Sequence, residues 1–338
     1  MEPISIKDIA RAADVSHSTV SRALHNSPLV NRETAARVHR IARTLGYRPS
    51  AVARSLVTRK TRTIGVVVTM ISDPFIAEVV SGIEERANDY GYSVFLANSN
   101  ADPDREVKVV HSFHERRVDG ILVTASRVGA LYLPLLKELQ VPIVLINNQH
   151  PGDFVHSVKI DNVTASRAAT RHLTDLGHRR IAYLGDQSGF QSDTERFTGY
   201  CQALEAAGVP YRPRLVIRGD GRAEGGMGAM AQLLALAAPP TAVFCYNDAT
   251  AMGAMRVVHE RGLGVPGDVS VVGFDDLFIA SYLCPPLTTI SQPRHRMGRL
   301  AMDILLQLFS GQTTKTTIQV QGELIVRGST SPPRPAVA

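Results

Sequence analysis

The segment Ser16-His-Ser-Thr-Val-Ser-Arg22 gathers hydroxyls, one imidazole and one guanidinium within seven residues. Ser16 suits a helix N-cap, so a helix opens here with a small, polar and exposed first turn. A helix start of that kind holds phosphates through its backbone N–H groups and hydroxyls. A guanidinium one turn later, Arg22, can reach the N7 and O6 acceptors of a guanine. Thr19, Val20 and Ala23 turn the other side inward. The chemistry on offer is entry of a helix into the major groove of DNA.

The surrounding elements fit that task. Ser5-Ile-Lys-Asp8 reads as a capping box that opens a helix with Ile6, Ile9, Ala10 and Ala13 on one face. Asp14-Val15 is the turn into the next helix. Asn31 caps a third, whose Ala35, Val38, Ile41, Ala42 and Leu45 form an apolar stripe that Gly46 ends. Three short helices with a tight first turn make a helix-turn-helix unit. Pro49 breaks the pattern. Residues 50–56 then read as a helix too short to stand alone in water, followed by the basic linker Thr58-Arg-Lys-Thr-Arg-Thr63. DNA and a second copy of the chain could supply what such a helix lacks.

Charge separates this front segment from the rest. Residues 1–62 hold 12 Lys and Arg against 4 Asp and Glu, a net of +8; the whole chain carries +6, so the remainder carries −2. That is the footprint of a small nucleic-acid-binding head on a near-neutral body. A length of 338 residues implies two or three units. The three cysteines, Cys201, Cys245 and Cys284, are dispersed and show neither metal nor disulfide spacing, as in a reducing compartment. No secretory h-region and no bilayer-spanning run is present, so a cytoplasmic, nucleoid-associated protein is expected.

From Thr63 the pattern alternates between short apolar runs and helical stretches. Runs at 64–69, 93–97, 120–124 and 142–146 are followed by a second round at 181–185, 215–217, 243–246 and 269–274. Two rounds imply two doubly wound parallel sheets, each covered on both faces, with a cleft between them. Ligands gather at the carboxyl ends of such strands. Polar residues cluster there, among them Ser72-Asp73, Thr124 to Ser126, Asn147-Asn148, Asn247-Asp248 and Asp275-Asp276.

These residues carry a resemblance. Ile6-Lys-Asp-Ile-Ala10, Val15-Ser16, Thr19-Val-Ser-Arg22, Leu45-Gly-Tyr-Arg-Pro49 and Ala53-Arg-Ser-Leu56 are similar to the LacI (lactose repressor-like) family of bacterial regulators. The match continues in order through Arg62-Thr-Ile-Gly-Val66, Ser72-Asp-Pro-Phe75, Arg116-Arg-Val-Asp-Gly120, Asp161-Asn162, Leu176-Gly-His178, Asn247-Asp248, Gly273-Phe-Asp-Asp276 and Thr288-Thr-Ile290. The resemblance implies a helix-turn-helix domain at 1–48, a hinge helix and linker at 49–62, and a periplasmic-binding-protein-like core at 63–338. The N-lobe would take about 63–161 and 293–320, the C-lobe about 162–292 and 321–330, with a Pro-rich tail at 331–338.

In that family the second helix lies in the major groove. His17 and Ser18 would then vary with the operator, Arg22 would contact a base, and Ser16, Ser21 and Asn26 would contact the DNA backbone. The resemblance also brings paired hinge helices into the minor groove. Ala53 would lie there, and Leu56 would wedge between two base pairs, trading unstacking for a kinked and better-wrapped duplex. Ser50 departs from the Asn most frequent in the family. For the cleft, the resemblance implies effector contacts from Arg196 and Asp275, an amide from Asn247, and a second wall of Asp73, Phe75, Ser126 and Asn148. The Gly219-Asp-Gly-Arg222 stretch lacks the aromatic often found there, so stacking would come from Phe75 or Phe190, or be absent. Arg222 adds a cation that would suit an acidic or phosphorylated sugar.

The expected partners are double-stranded operator DNA, a small effector (a sugar, sugar acid or sugar phosphate) and a second copy of the chain; no cofactor, metal or membrane is expected. Ser329 to Ala338 has no leucine heptad, so a dimer is expected over a tetramer. Enzyme motifs are absent: there is no G-x-x-x-x-G-K-[ST], G-x-S-x-G or H-E-x-x-H, and His111-x-x-His114-Glu115 reads as the surface of a helix. The competing class, a periplasmic-type sugar-binding protein, would need an export signal and has no use for residues 1–62.

Overall fold

The computed structural model describes residues 4–47, 60–128, 132–149, 155–312 and 314–335. The expected hinge helix, with Ala53 and Leu56, lies outside them. The chain divides into two units, Met1–Thr61 and Arg62–Ala338.

The small unit folds as α1 (Ile6–Ala13), α2 (His17–Leu24) and α3 (Arg32–Thr44). Local chemistry sets each boundary. The Asp8 carboxylate accepts from the Ser5 N–H at 3.0 Å and from its hydroxyl at 2.6 Å. Asp14 takes the left-handed conformation that turns α1 toward α2. Ser16 Oγ accepts from the Thr19 N–H at 3.1 Å, and Asn31 Oδ1 from the Thr34 N–H at 2.8 Å. Gly46, at φ +69°, follows the end of α3. Ile9, Ala13, Val20, Ala23, Val38 and Ala42 close one small core.

The large unit contains two six-stranded sheets. The first runs β11 (Thr316–Val320), β5 (His156–Ile160), β4 (Ile143–Ile146), β3 (Gly120–Thr124), β1 (Thr63–Val68) and β2 (Ser93–Asn98), all parallel. The second runs β12 (Glu323–Ile325), β10 (Thr288–Ser291), β9 (Ser270–Asp275), β8 (Ala242–Cys245), β6 (Ile181–Asp186) and β7 (Val216–Gly219). Only β12 in that sheet runs antiparallel to its neighbour. Ile64, Val66 and Val68 enter one core while Val67 enters another, because a parallel sheet is buried on both faces. The chain passes between the sheets after β5, after β10 and after β11.

Helices α4 (Pro74–Asp89), α5 (Pro103–Glu115) and α6 (Tyr132–Leu139) follow the first three strands. Helices α7 (Asn162–Asp175), α8 (Gln191–Ala206), α9 (Ala223–Leu234) and α10 (Asp248–Glu260) lie among those of the second round, and α11 (Arg294–Phe309) returns to pack on α4. Four strands differ from the apolar runs read in the sequence: β5, β10, β11 and β12 have His, Lys, Thr, Ser, Gln or Glu interleaved with or flanking their apolar residues, and their pairing rests on backbone hydrogen bonds rather than on an apolar run. The segment Ser329–Ser331 is built into the second sheet. Ser329 Oγ accepts from the Thr288 N–H at 2.8 Å and donates to the Val271 carbonyl, and His178 Nε2 lies 2.9 Å from the Ser331 carbonyl.

Candidate functional site

Within the small unit, α2 exposes the residues that could read DNA. Ser16, His17, Ser18 and Arg22 are exposed and Ser21 is half-buried, while Val20 and Ala23 hold the opposite face in the core. The hydroxyls are pre-arranged, with Ser16 Oγ 2.7 Å from Ser18 Oγ and 2.8 Å from Thr19 Oγ1. Asn26 is exposed in the left-handed turn after α2, its side-chain oxygen 3.3 Å from His39 Nε2. The face therefore presents hydroxyl, imidazole, amide and guanidinium groups, all able to meet phosphates and base edges.

In the large unit, the carboxyl ends of the two sheets face each other. Arg127, after β3, donates to the Ser188 carbonyl, after β6, at 2.7 Å and lies over the Phe190 ring. Gln149, after β4, accepts from the Ser192 N–H at 3.1 Å and, through its carbonyl, from the Gln191 N–H at 3.3 Å. These contacts join the lobes across the cleft.

Arg196 on α8 is the hub on the second lobe, 5% exposed. Its Nε donates to Asn162 Oδ1 at 2.9 Å, Nη1 donates to the Tyr246 carbonyl at 2.5 Å, and Nη2 lies 3.8 Å from Asp275 Oδ1. Its guanidinium is centred 3.7 Å from the Phe274 ring and 4.7 Å from the Tyr246 ring. Gly199, one turn on, makes this reach possible: a Cβ there would strike the Val163 carbonyl, so α8 lies directly on α7 and Arg196 meets Asn162.

Asp275, at the end of β9, is 8% exposed and holds φ +119°, a conformation L residues rarely adopt. Backbone of this kind costs on the order of 1–3 kcal/mol and persists where neighbours hold it. Arg294 does so, donating through Nη1 to the Asp275 carbonyl and through Nη2 to the Asp276 carbonyl at 2.8 Å. Gln292 Nε2 donates to Asp275 Oδ1 at 2.6 Å. Burial pushes the Asp275 carboxyl up to about 7, Arg196 opposing and Asp248 and Asp73 adding to the rise. Asp248, the first residue of α10, is pushed up to about 6 by burial. It accepts from Thr289 Oγ1 at 2.6 Å and from the Leu277 N–H at 2.7 Å, and so fastens the loop after β9. The N-cap of α10 is Asn247, which accepts from the Thr250 N–H and donates to the Gly221 carbonyl, both at 2.8 Å.

On the first lobe, Asp73 caps α4 by accepting from the Phe75 N–H at 2.9 Å, and burial raises its carboxyl despite Arg294 nearby. Phe75 is half-buried against the core. Asn148 is half-buried in the loop after β4. Ser126 differs from the sequence expectation: it is fully buried, and its hydroxyl donates to Glu106 at 2.5 Å, where Tyr132 also donates at 2.6 Å. The Glu106 carboxylate, buried on α5, draws that hydroxyl away from the cleft. Phe190 lies against the Arg127 guanidinium, and the aromatic rings beside Arg196 are those of Phe274 and Tyr246. Burial raises the Tyr246 phenol to about 12, and it lies 2.8 Å from Ser192 Oγ. Arg222 is exposed at the start of α9. Tyr246, Gln149, Gln292 and Arg294 were passed over in the sequence; each follows the carboxyl end of a strand, which is the signal that could have found them. Among the described residues, no three His, Cys, Asp or Glu side chains gather as a metal site, and no helix is long and apolar enough to cross a membrane.

Comparison with known proteins places this geometry. Residues 5–50 match the bacterial regulatory proteins of the lacI family, and residues 61–327 match the periplasmic binding proteins and sugar binding domain of LacI family. The HTH-type transcriptional repressor CytR of Escherichia coli (strain K12) is 38% identical over 332 residues, covering 96% of each chain. The crystal structure of the lac repressor dimer bound to operator and the anti-inducer ONPF aligns at a TM-score of 0.89 with 29% identity, over 98% of this chain and 100% of that one. The transcriptional regulator CelR–cellobiose complex aligns at 0.74 with 32% identity, over 96% and 99%.

Proposed function

The chain belongs to the LacI family of bacterial regulatory proteins, and on that premise we propose how its residues divide the work of a DNA-binding transcriptional repressor. It is a regulator and not an enzyme, and it acts on operator DNA as a dimer under control of a small effector. In our assignment residues 1–48 read DNA, 49–62 form the hinge and linker, and the lobes of 63–338 bind effector and the second subunit. Arg22, His17 and Ser18 face base edges; Ser16, Ser21 and Asn26 face the DNA backbone. Ala53 and Leu56 enter the minor groove. Arg196, Asp275, Asn247, Asp73 and Phe75 line the effector cleft, with Asn148 at its edge and Ser126 acting through Glu106 on the loop that carries Arg127.

The observation that carries this division is the pairing in one chain of an exposed polar α2 face with an Arg196–Asp275 pair at the mouth of two facing sheets. Effector would change the population of lobe arrangements, and the paired hinges would gain or lose support with it. Selection from a random duplex pool is expected to return an inverted repeat, since two heads on a two-fold axis need two half-sites. Fluorescence anisotropy on that duplex then tests the assignments. Leu56→Ala is expected to weaken the selected site far more than random DNA. Equal loss on both removes the wedge, and an unenriched pool removes the DNA assignment as a whole.

A further inference from the structure

Arg62 is the first residue of the large unit and stands immediately before β1. Its backbone is left-handed, at φ +54°, a conformation uncommon for residues with a side chain. Three contacts hold it there. Its N–H donates to Asp119 Oδ2 at 3.0 Å, and its Nη1 donates to the Tyr90 carbonyl at 2.9 Å. Its guanidinium is centred 5.2 Å from the Tyr92 ring, which stacks on Phe309 at 5.4 Å. Tyr90 is the C-cap of α4, and Phe309 is the last residue of α11. The opposite ends of these two helices lie at the cleft. Asp73 caps α4, and Arg294, the first residue of α11, bonds the carbonyls of Asp275 and Asp276.

The two helices run side by side as one body. A Cβ at Gly82 would strike the His295 carbonyl, and one at Gly298 the Val79 carbonyl, so the backbones touch near the cleft. Further along, Glu85 lies 2.8 Å from His295 Nε2 and pairs with Arg299, and Arg86 pairs with Asp303 at 2.6 Å. Sixteen residues in each helix span about 24 Å. A rigid pair of that length carries a displacement from one end to the other. We propose that Arg62 is a positioning residue for DNA binding: it ties the start of the linker to the far ends of α4 and α11, so that the state of the cleft at Arg294 reaches the DNA-reading residues through it. This rests on the operator-binding reading given above. Arg62 is exposed, so its side chain serves no core. A bare phosphate contact is the competing role, and lysine separates the two. Lysine keeps the charge but lacks the planar fork that meets a carbonyl and a ring together.

A double-mutant cycle on the full-length protein tests this with no effector present. Fluorescence anisotropy measures affinity for the selected operator duplex and for a random duplex. Arg294→Ala alters the cleft end of α11 and Arg62→Lys the linker end. Melting curves establish that each variant folds, and Arg294→Lys takes the place of an alanine variant that does not. With Arg62 present, the Arg294 substitution is expected to change operator affinity by about fivefold or more. In the Arg62→Lys background the same substitution is expected to change it by less than about twofold, although sites this far apart are ordinarily additive. Asp119→Ala frees the Arg62 N–H and removes a negative charge; it is expected to weaken operator binding, where charge alone would tighten it. Additive effects, an Arg294 substitution without effect on operator affinity, or tighter binding by Asp119→Ala overturns the inference and leaves the operator reading standing. A parent protein that does not prefer the selected duplex over the random one overturns both.

Discussion

At the residue scale, two side chains carry predictions of opposite kind. Arg22 is exposed on the leading face of α2, and its worth is a difference between sequences. Arg22→Ala is expected to cost about 1–3 kcal/mol on the selected operator and to relax preference at one base pair per half-site, while random DNA loses much less. Uniform loss across sequences would make Arg22 a phosphate contact. Asp275 is buried, and its worth depends on pH. An unfolded carboxyl titrates near 4; burial lifts Asp275 to about 7 and Asp248 to about 6. The folded state thus keeps protons that the unfolded state has lost. That contribution to stability is fully present below about pH 4 and is lost as pH rises through 6 to 7. The melting temperature of the ligand-free protein should accordingly decline across that window. Asp275→Asn, which cannot ionise, should flatten the decline; an unchanged slope in the variant assigns it to other groups.

At the element scale, legibility followed the strength of local signals. The caps at Ser5, Ser16 and Asn31 were readable because one side chain meeting one backbone N–H is a local event. Strands β1, β3, β4 and β9 were readable because both of their faces are buried. Strands β5 and β10 were not, since His156, Lys159, Thr288 and Thr289 mask them, and only the neighbouring strand makes them strands. Helix α11 has Met297, Ala301, Ile304 and Leu305 at helical spacing and was open to discovery. In the cleft, Arg196 and Asp275 came from resemblance. Tyr246 and Gln292 each follow a strand end, a signal present in the sequence, but only the fold shows that those two ends converge. The small unit's core shows the consequence of few residues: Ile9 is fully buried among a handful of partners. Ile9→Ala is expected to destabilise that unit by about 2–5 kcal/mol, removing DNA binding while the larger unit still melts and binds effector as before. Loss of effector binding in the same variant would show that the two units do not fold independently.

At the scale of the whole molecule, charge and coupling set two linked expectations. The net +8 of residues 1–62 against −2 for the rest places the electrostatic attraction to DNA in the small unit. If a dimer neutralises about 6–10 phosphates, operator affinity should fall by roughly 10³–10⁵ between 50 and 200 mM salt. Effector affinity should barely respond, because the cleft's charges are buried and screened little by salt. The two affinities are nonetheless bound to each other by linkage. Whatever factor the effector applies to operator affinity, operator must apply to effector affinity, with the same sign. An inducer is released more readily from the DNA complex, and a corepressor is held more tightly. Titrating effector into free protein and into the protein–operator complex at one salt concentration measures the factor from one side; anisotropy with and without effector measures it from the other. Equality of the two factors is expected for a dimer that changes only its lobe arrangement. Inequality would require a further reaction in the cycle, and light scattering at the same concentrations would show whether that reaction is a change in the number of subunits.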